Sequence, residues 1–335
     1  MKRNNIIDLS KGIGIFLVIF GHNHNSLTGY IYSFHMPLFF LLSGVLHSSK
    51  KNFLEFFINK FRRIMIPYFY FSGILFLFWL IIGRNIGEAV TKKTPIEHSL
   101  MGIFIGTNIS NFSSIEWGVP LWFLPCIFCV TIISYYILKQ TNEQIFLINL
   151  ILIILNLILT KMLKQKLPWS ISTALIAIPF YTFGYLLRGK IIETKVDKKS
   201  ILFLLILGMI SLISFHINPE VDMFSYKFNN LFIFYIGGFS GSLCLILFIK
   251  FLPENKFKWI EFLGVNSMIL LACHGRALTI LKFIWIVILK KSFIQGTLCT
   301  ALIYTVIQIL LCIPFIYIVN NYTSFLKKIN IRSEK

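Results

Sequence analysis

Ten stretches of this chain are each apolar over close to the length that a bilayer crossing demands: roughly residues 11–30, 33–48, 66–83, 119–138, 145–160, 173–188, 201–216, 229–250, 263–288 and 297–319. A helical crossing needs about 20 predominantly apolar residues. In hydrocarbon, every backbone N–H and C=O must be paired within the segment, so runs of this kind fold as helices. Only 13% of residues are charged and 56% are hydrophobic, whereas about a quarter are charged in a soluble domain. The expected fold is therefore all-α and integral to the membrane, with about ten transmembrane helices in a single domain over residues 1–335. Lys2 and Arg3 precede the first run as in a secretory signal, but His22 and Asn23 interrupt it and no small-residue cleavage site follows. It reads as a retained helix.

Basic residues fix the expected orientation, because Lys and Arg concentrate in cytoplasmic loops. With both termini inside, the cytoplasmic connections and termini carry 21 Lys and Arg and the opposite ones nine, leaving Arg276 and Lys282 within an apolar run. Both termini are expected in the cytoplasm. The net charge of +19 does not point to nucleic acid, since it is spread over short connections rather than gathered on one domain; membrane lipids are the general partner. All six cysteines fall in apolar runs, where a thiol packs as a small hydrophobe. Cys126 and Cys129 have CxxC spacing but no second pair, so no metal site is expected. No hydrophilic block is long enough for a second domain, and no internal repeat marks a transporter. Met101–Gly106 is apolar but too short to cross, which suits a re-entrant or interfacial segment shaping a site on the outer face.

Polar groups inside membrane spans are costly and are functional candidates by default. Four clusters stand out. The first runs from Asp8 through Lys11 into a helix carrying His22. Lys11 and His22 are separated by roughly 16 Å of helix, which sets one at the cytoplasmic headgroups and the other deep in the membrane. An imidazole there can accept a proton from a hydroxyl, because its pKa lies near ambient pH. Asp8, one turn from Lys11, is expected to pair with it. The second cluster is His35-Met36-Pro37-Leu38-Phe39 with Ser43-Gly44. Pro37 fits a first helical turn, and a short hairpin brings His35 within reach of His22. The third, Lys60-Phe61-Arg62-Arg63, is a basic patch that serves equally as a topology signal or as a grip on the phosphates of a nucleotide-like donor. The fourth joins Leu121-Trp122-Phe123-Leu124 to Gly264-Val265-Asn266-Ser267, His274 and Arg276. Trp122 alone reads as an interfacial aromatic; Arg276, inside a span, needs a partner or a water-filled cavity.

These ordered motifs resemble acyltransferase family 3, the membrane O-acyltransferases of bacterial surface glycans. Lys11 and His22, preceded by Asp8, match the family's opening pattern of a basic residue, ten residues and a histidine. His35-Met36-Pro37-Leu38-Phe39 and Ser43-Gly44 match its second-span signature. Lys60-Phe61-Arg62-Arg63 matches its pair of arginines separated by two residues, with lysine in the first place. Leu121 to Leu124 and the pair Ser267 and His274 meet two later motifs. The resemblance covers most of the chain.

The resemblance implies a ten-helix domain in the bacterial cytoplasmic membrane that transfers an acyl group, most often acetyl, from cytoplasmic acetyl-CoA to a hydroxyl of an extracytoplasmic or lipid-linked glycan. Lys11, Lys60, Arg62 and Arg63 would hold the coenzyme A phosphates. His22 would activate the acceptor or relay the acyl group, with His35, His274 and Arg276 orienting it or stabilising the oxyanion. Some larger relatives carry a further hydrolase-like domain after the last span; here the membrane part is expected to complete the transfer alone, as in polysaccharide and O-antigen O-acetyltransferases. The competing readings are a lipid-linked oligosaccharide flippase or polymerase, of which polymerases tend to carry larger outer loops with functional arginines, and a non-catalytic scaffold, which has no need of His22, His35 and His274.

Overall fold

The computed structural model describes residues 4–48, 52–85, 94–162, 166–193, 196–253 and 256–323. Lys2, Arg3, Lys50, Lys51, Lys92, Lys93, Lys164, Lys195 and the basic residues after 323 lie outside the described residues. The helices in chain order are α1 (Asn5–His22), α2 (Thr28–Val45), α3 (Phe53–Lys60), α4 (Ile66–Ile81), α5 (Ile96–Ile105), α6 (Phe123–Ile137), α7 (Asn142–Met162), α8 (Ile171–Leu186), α9 (Arg188–Glu193), α10 (Lys198–Ile217), α11 (Leu231–Lys250), α12 (Lys258–Val265), α13 (Ser267–Phe283) and α14 (Leu298–Tyr322). A π turn, Phe61–Met65, joins α3 to α4.

Nine segments are long and apolar enough to cross a membrane among the described residues. The tenth expected crossing is α2, whose 18 residues span about 27 Å. It is more polar because it runs through the middle of the bundle, against α1, α8 and α11, rather than along lipid. The protein is an all-α, multi-pass membrane protein.

Its outer helices are built inside out. In α7 the buried residues are Ile145 and Asn156, whereas Phe146, Leu147, Leu150, Ile151 and Ile154 are exposed. In α10, Ser211 and Ser214 are buried while Leu202, Phe203, Leu205 and Met209 are exposed. Such a surface is untenable in water and ordinary in lipid, where polar side chains bind helices to one another. Asn156 donates to the Leu175 carbonyl and the Tyr235 hydroxyl, at 3.0 and 3.1 Å.

Glycines permit the closest crossings. A Cβ on Gly44 of α2 would lie 1.8 Å from the Tyr181 carbonyl oxygen of α8, and one on Gly184 of α8 would lie 2.1 Å from that of Leu41. The α1–α12 crossing is built alike: a Cβ on Gly12 would meet the Ile260 carbonyl at 2.0 Å, and one on Gly264 that of Asp8 at 1.9 Å. At this same end Asn320 of α14 donates to Asn266 at 2.9 Å. The start of α1 and the end of α14 therefore lie on one side of the bundle, the side bearing Lys11, Lys60 and Arg63, called the basic end below.

Two expected boundaries shift. The first crossing stops at His22 instead of running to 30, because the polar turn after it satisfies the last carbonyls of α1. Asn23 donates to Ile19 O, Asn25 to Phe20 O and Thr28 to Gly21 O, and His24 turns the chain with φ 44°. The second helix accordingly begins at Thr28, five residues before the expected start. Pro37 thus sits within α2, not in its first turn, and leaves the Ser33 carbonyl without its helical donor.

Candidate functional site

At the end opposite the basic one, a cavity of about 140 Å³ is lined by Val18 and His22 of α1, Tyr32, His35 and Met36 of α2, and residues of two connections. Sequence reasoning places His22 deep in the membrane. The structure makes it the last residue of α1 and lines its cavity also with Val119, Pro120 and the turn at Asp222–Phe224. The site therefore lies toward the loop-covered end of the bundle.

Three histidines meet here in the same local geometry. The Nδ1 atoms of His22, His35 and His274 lie 2.8, 2.8 and 2.9 Å from the carbonyls of Val18, Ile31 and Leu270, each one turn back on its own helix. A carbonyl only accepts, so each Nδ1 carries the hydrogen, and in a neutral ring Nε2 keeps its lone pair on the far side. The His22 and His274 rings meet edge to face with centroids 5.1 Å apart. His274 is fully buried and its Nε2 has no hydrogen-bond partner among the described residues. Tyr32 stands between the other two, 5.9 Å from His22 and 5.1 Å from His35.

Two further groups were not singled out from sequence. Tyr32 lies one turn before His35, a spacing that puts both on one face of α2, which is visible only once the helix is known to begin at Thr28. Asp222 lies about 200 positions beyond His22 in the sequence. Its carboxylate is within electrostatic reach of His22, Tyr32, His35 and Lys166. It also braces its own turn, accepting from Phe224 N at 2.9 Å and from the Ser225 hydroxyl.

The remaining candidates divide between the two ends. Trp122 is not an interfacial aromatic: it is 5% exposed and forms part of the cavity wall. Arg276 finds its partner outside the cavity, donating from Nη2 to the Glu116 carbonyl at 2.9 Å and lying over the Phe78 ring. It pins the 94–118 connection that borders the site. The Ser43 hydroxyl is occupied within its helix by Phe39 O, at 2.7 Å. At the basic end, Lys60 lies within electrostatic reach of Lys11 and Arg63, and Asp8 within reach of Lys11. Lys60 and Arg63 are half-buried, whereas Arg62 is exposed. The π turn that carries the arginines inserts an extra residue into the helix, a device frequent at functional sites. His47, also missed, is buried beside Lys60 and Arg188. Its Nδ1 pairs with the Tyr181 hydroxyl at 2.8 Å.

The arrangement thus has groups able to accept a proton at one end of α1 and clustered positive charge toward the other, roughly 16 Å apart along the helix. No curated protein and no solved structure matches the chain. The acyltransferase domain family matches residues 4–317, nearly the whole sequence, and on that coverage the chain belongs to acyltransferase family 3 as a membrane acyltransferase.

Proposed function

We propose that the protein is an O-acyltransferase, most simply an O-acetyltransferase, that takes its acyl group from cytoplasmic acyl-CoA and esterifies a hydroxyl of a surface or lipid-linked glycan across the bacterial cytoplasmic membrane. The observation that carries this reading is the cavity bordered by His22, Tyr32 and His35, with both ring Nδ1 atoms committed to the helix backbone. That commitment reserves Nε2 for proton transfer. Lys11, Lys60 and Arg63 hold the donor's phosphates at the basic end, with Arg62 at the rim, and the thioester arm extends along α1 toward His22.

In the reaction the acceptor oxygen attacks the thioester carbonyl, so that a C–O bond forms and the C–S bond breaks. The hydroxyl proton passes to Nε2 of His22 and then to the departing thiolate, giving ester and free thiol. Asp222 favours the imidazolium formed on the way, since a nearby opposite charge stabilises the charged ring. His35 and His274 position the base and the acceptor. The test is base-labile acetyl on purified surface glycan from a strain lacking its own copy, complemented with wild type, His22→Ala or Lys11→Ala at matched membrane levels. Acetyl with wild type and none with His22→Ala is the expected result. Altered glycan amount or chain length without acetyl would replace this reading with a flippase or polymerase.

A further inference from the structure

Beside the histidine cavity, at the same end of the bundle, lies a second cavity of about 570 Å³. The two share their walls. The 116–122 stretch gives Glu116 to the larger cavity and Val119, Pro120 and Trp122 to the smaller. The turn at 222–226 gives Asp222, Met223 and Phe224 to the smaller, and Ser225 and Tyr226 to the larger. Lys166 lines the larger cavity, and its Nζ stands 3.9 Å from the ring centroid of Phe224. That pair forms the partition between them.

The volumes set what each can hold. The smaller, at about 140 Å³, is the tighter of the two and holds the histidines that face the reacting hydroxyl. The larger falls within the range of about 300–1,000 Å³ typical of small-molecule sites. Its lining is rich in hydroxyls and amides, including Ser110, Asn111, Ser114 and Thr94, with the rings of Tyr226 and His98 among them. Hydroxyls and amides match the alternating donors and acceptors of a saccharide, and a flat ring matches its C–H face. Glu116 and Lys166 carry opposite charges there, which suits an uncharged ligand. Tyr226 holds left-handed backbone, φ 58°, a costly conformation for a bulky side chain and one that recurs at ligand sites.

We propose that the larger cavity is the subsite for the neighbouring sugar of an uncharged oligosaccharide acceptor whose target hydroxyl reaches the histidine cavity. The enzyme on this account acts on a glycan of at least two residues, and Tyr226 helps to set that preference. The proposal rests on the acyltransferase reading above.

The experiment uses full-length protein in membrane vesicles, acetyl-CoA labelled in its acetyl group, and the mono-, di- and trisaccharide obtained from the source organism's de-acetylated surface glycan. Wild type is expected to show kcat/KM higher by about tenfold or more for the di- and trisaccharide than for the monosaccharide, as remote binding energy is expressed in the transition state. Tyr226→Ala, and Ser110→Trp, which fills the cavity from an exposed position, are expected to bring that ratio toward unity. Equal kcat/KM for all lengths, or variants that slow all acceptors alike, overturns the subsite and leaves the transferase reading standing. Equilibrium dialysis of the trisaccharide separates the two ideas. Binding that Tyr226→Ala abolishes, without transfer to any acceptor, supports the subsite and overturns the transferase; neither binding nor transfer overturns both.

Discussion

A histidine inside a membrane bundle commonly packs against a neighbouring helix, so what distinguishes His22 is which nitrogen the fold has already used. The backbone takes Nδ1 in His22, His35 and His274 alike. General-base catalysis is worth about 10²–10⁴-fold, and His22→Ala is expected to lose transfer by a factor of that order with little change in donor KM. His274→Phe keeps the volume of the buried ring but removes the unpartnered Nε2. It is expected to lower kcat partially, again without raising donor KM, a split that steady-state kinetics reads directly. Charge at the loop surface is a different matter. Lys227 and Glu220 approach to 2.6 Å, but their side chains are 61% and 65% exposed. The lysine holds the Glu220 carboxyl below its ordinary value. Any stability from it is present above the ordinary carboxylate range and fades as the pH falls through the lowered value. Exposed pairs contribute little, so Glu220→Gln is expected to leave the thermal midpoint unchanged at pH 7 and at pH 4.

Among the elements, α2 carries the heaviest structural demand. One turn presents His35 to the cavity, Pro37 withdraws a backbone donor, and Gly44 lets α8 approach to backbone contact. Gly44 of the Ser43-Gly44 motif thus serves the crossing, while the Ser43 hydroxyl is bonded within its own helix. Gly44→Ala would drive a methyl group into the Tyr181 carbonyl. Overpacking of this kind costs about 1–3 kcal/mol, more where both sides are backbone, so the variant is expected to unfold at lower temperature in detergent by size-exclusion assay. Polar side chains tie α1 to α14 by a different means. Asn23 donates to Thr305 at 3.0 Å and accepts from Gln308 at 2.7 Å, holding the end of α1 that carries His22.

For the molecule as a whole, the basic cluster and the histidine cavity lie toward opposite ends of one helix bundle, and separate measurements should see them separately. Lys60→Ala and Arg63→Ala are expected to raise the KM for acetyl-CoA several-fold while leaving kcat at saturating donor nearly intact, the reverse of the His22 pattern; equal losses in kcat would place these residues elsewhere in the reaction. The sequence alone determined the all-α membrane class and nearly every crossing, because hydrocarbon imposes length and apolarity on each span independently of its neighbours. It also picked out His22, His35 and Lys11, since an ionisable group in an apolar run is conspicuous wherever it packs. It could not place the first helix end, which depends on Asn23 and Asn25 side chains folding back on α1, and so it put Pro37 in a first turn that in fact starts earlier. Only the tertiary structure brought Asp222 to the histidines, directed Lys60 and Arg63 inward while Arg62 faces out, and turned Arg276 onto the Glu116 carbonyl. Those are contacts between segments far apart in the chain, and hydropathy records how apolar each segment is but not which neighbour it meets.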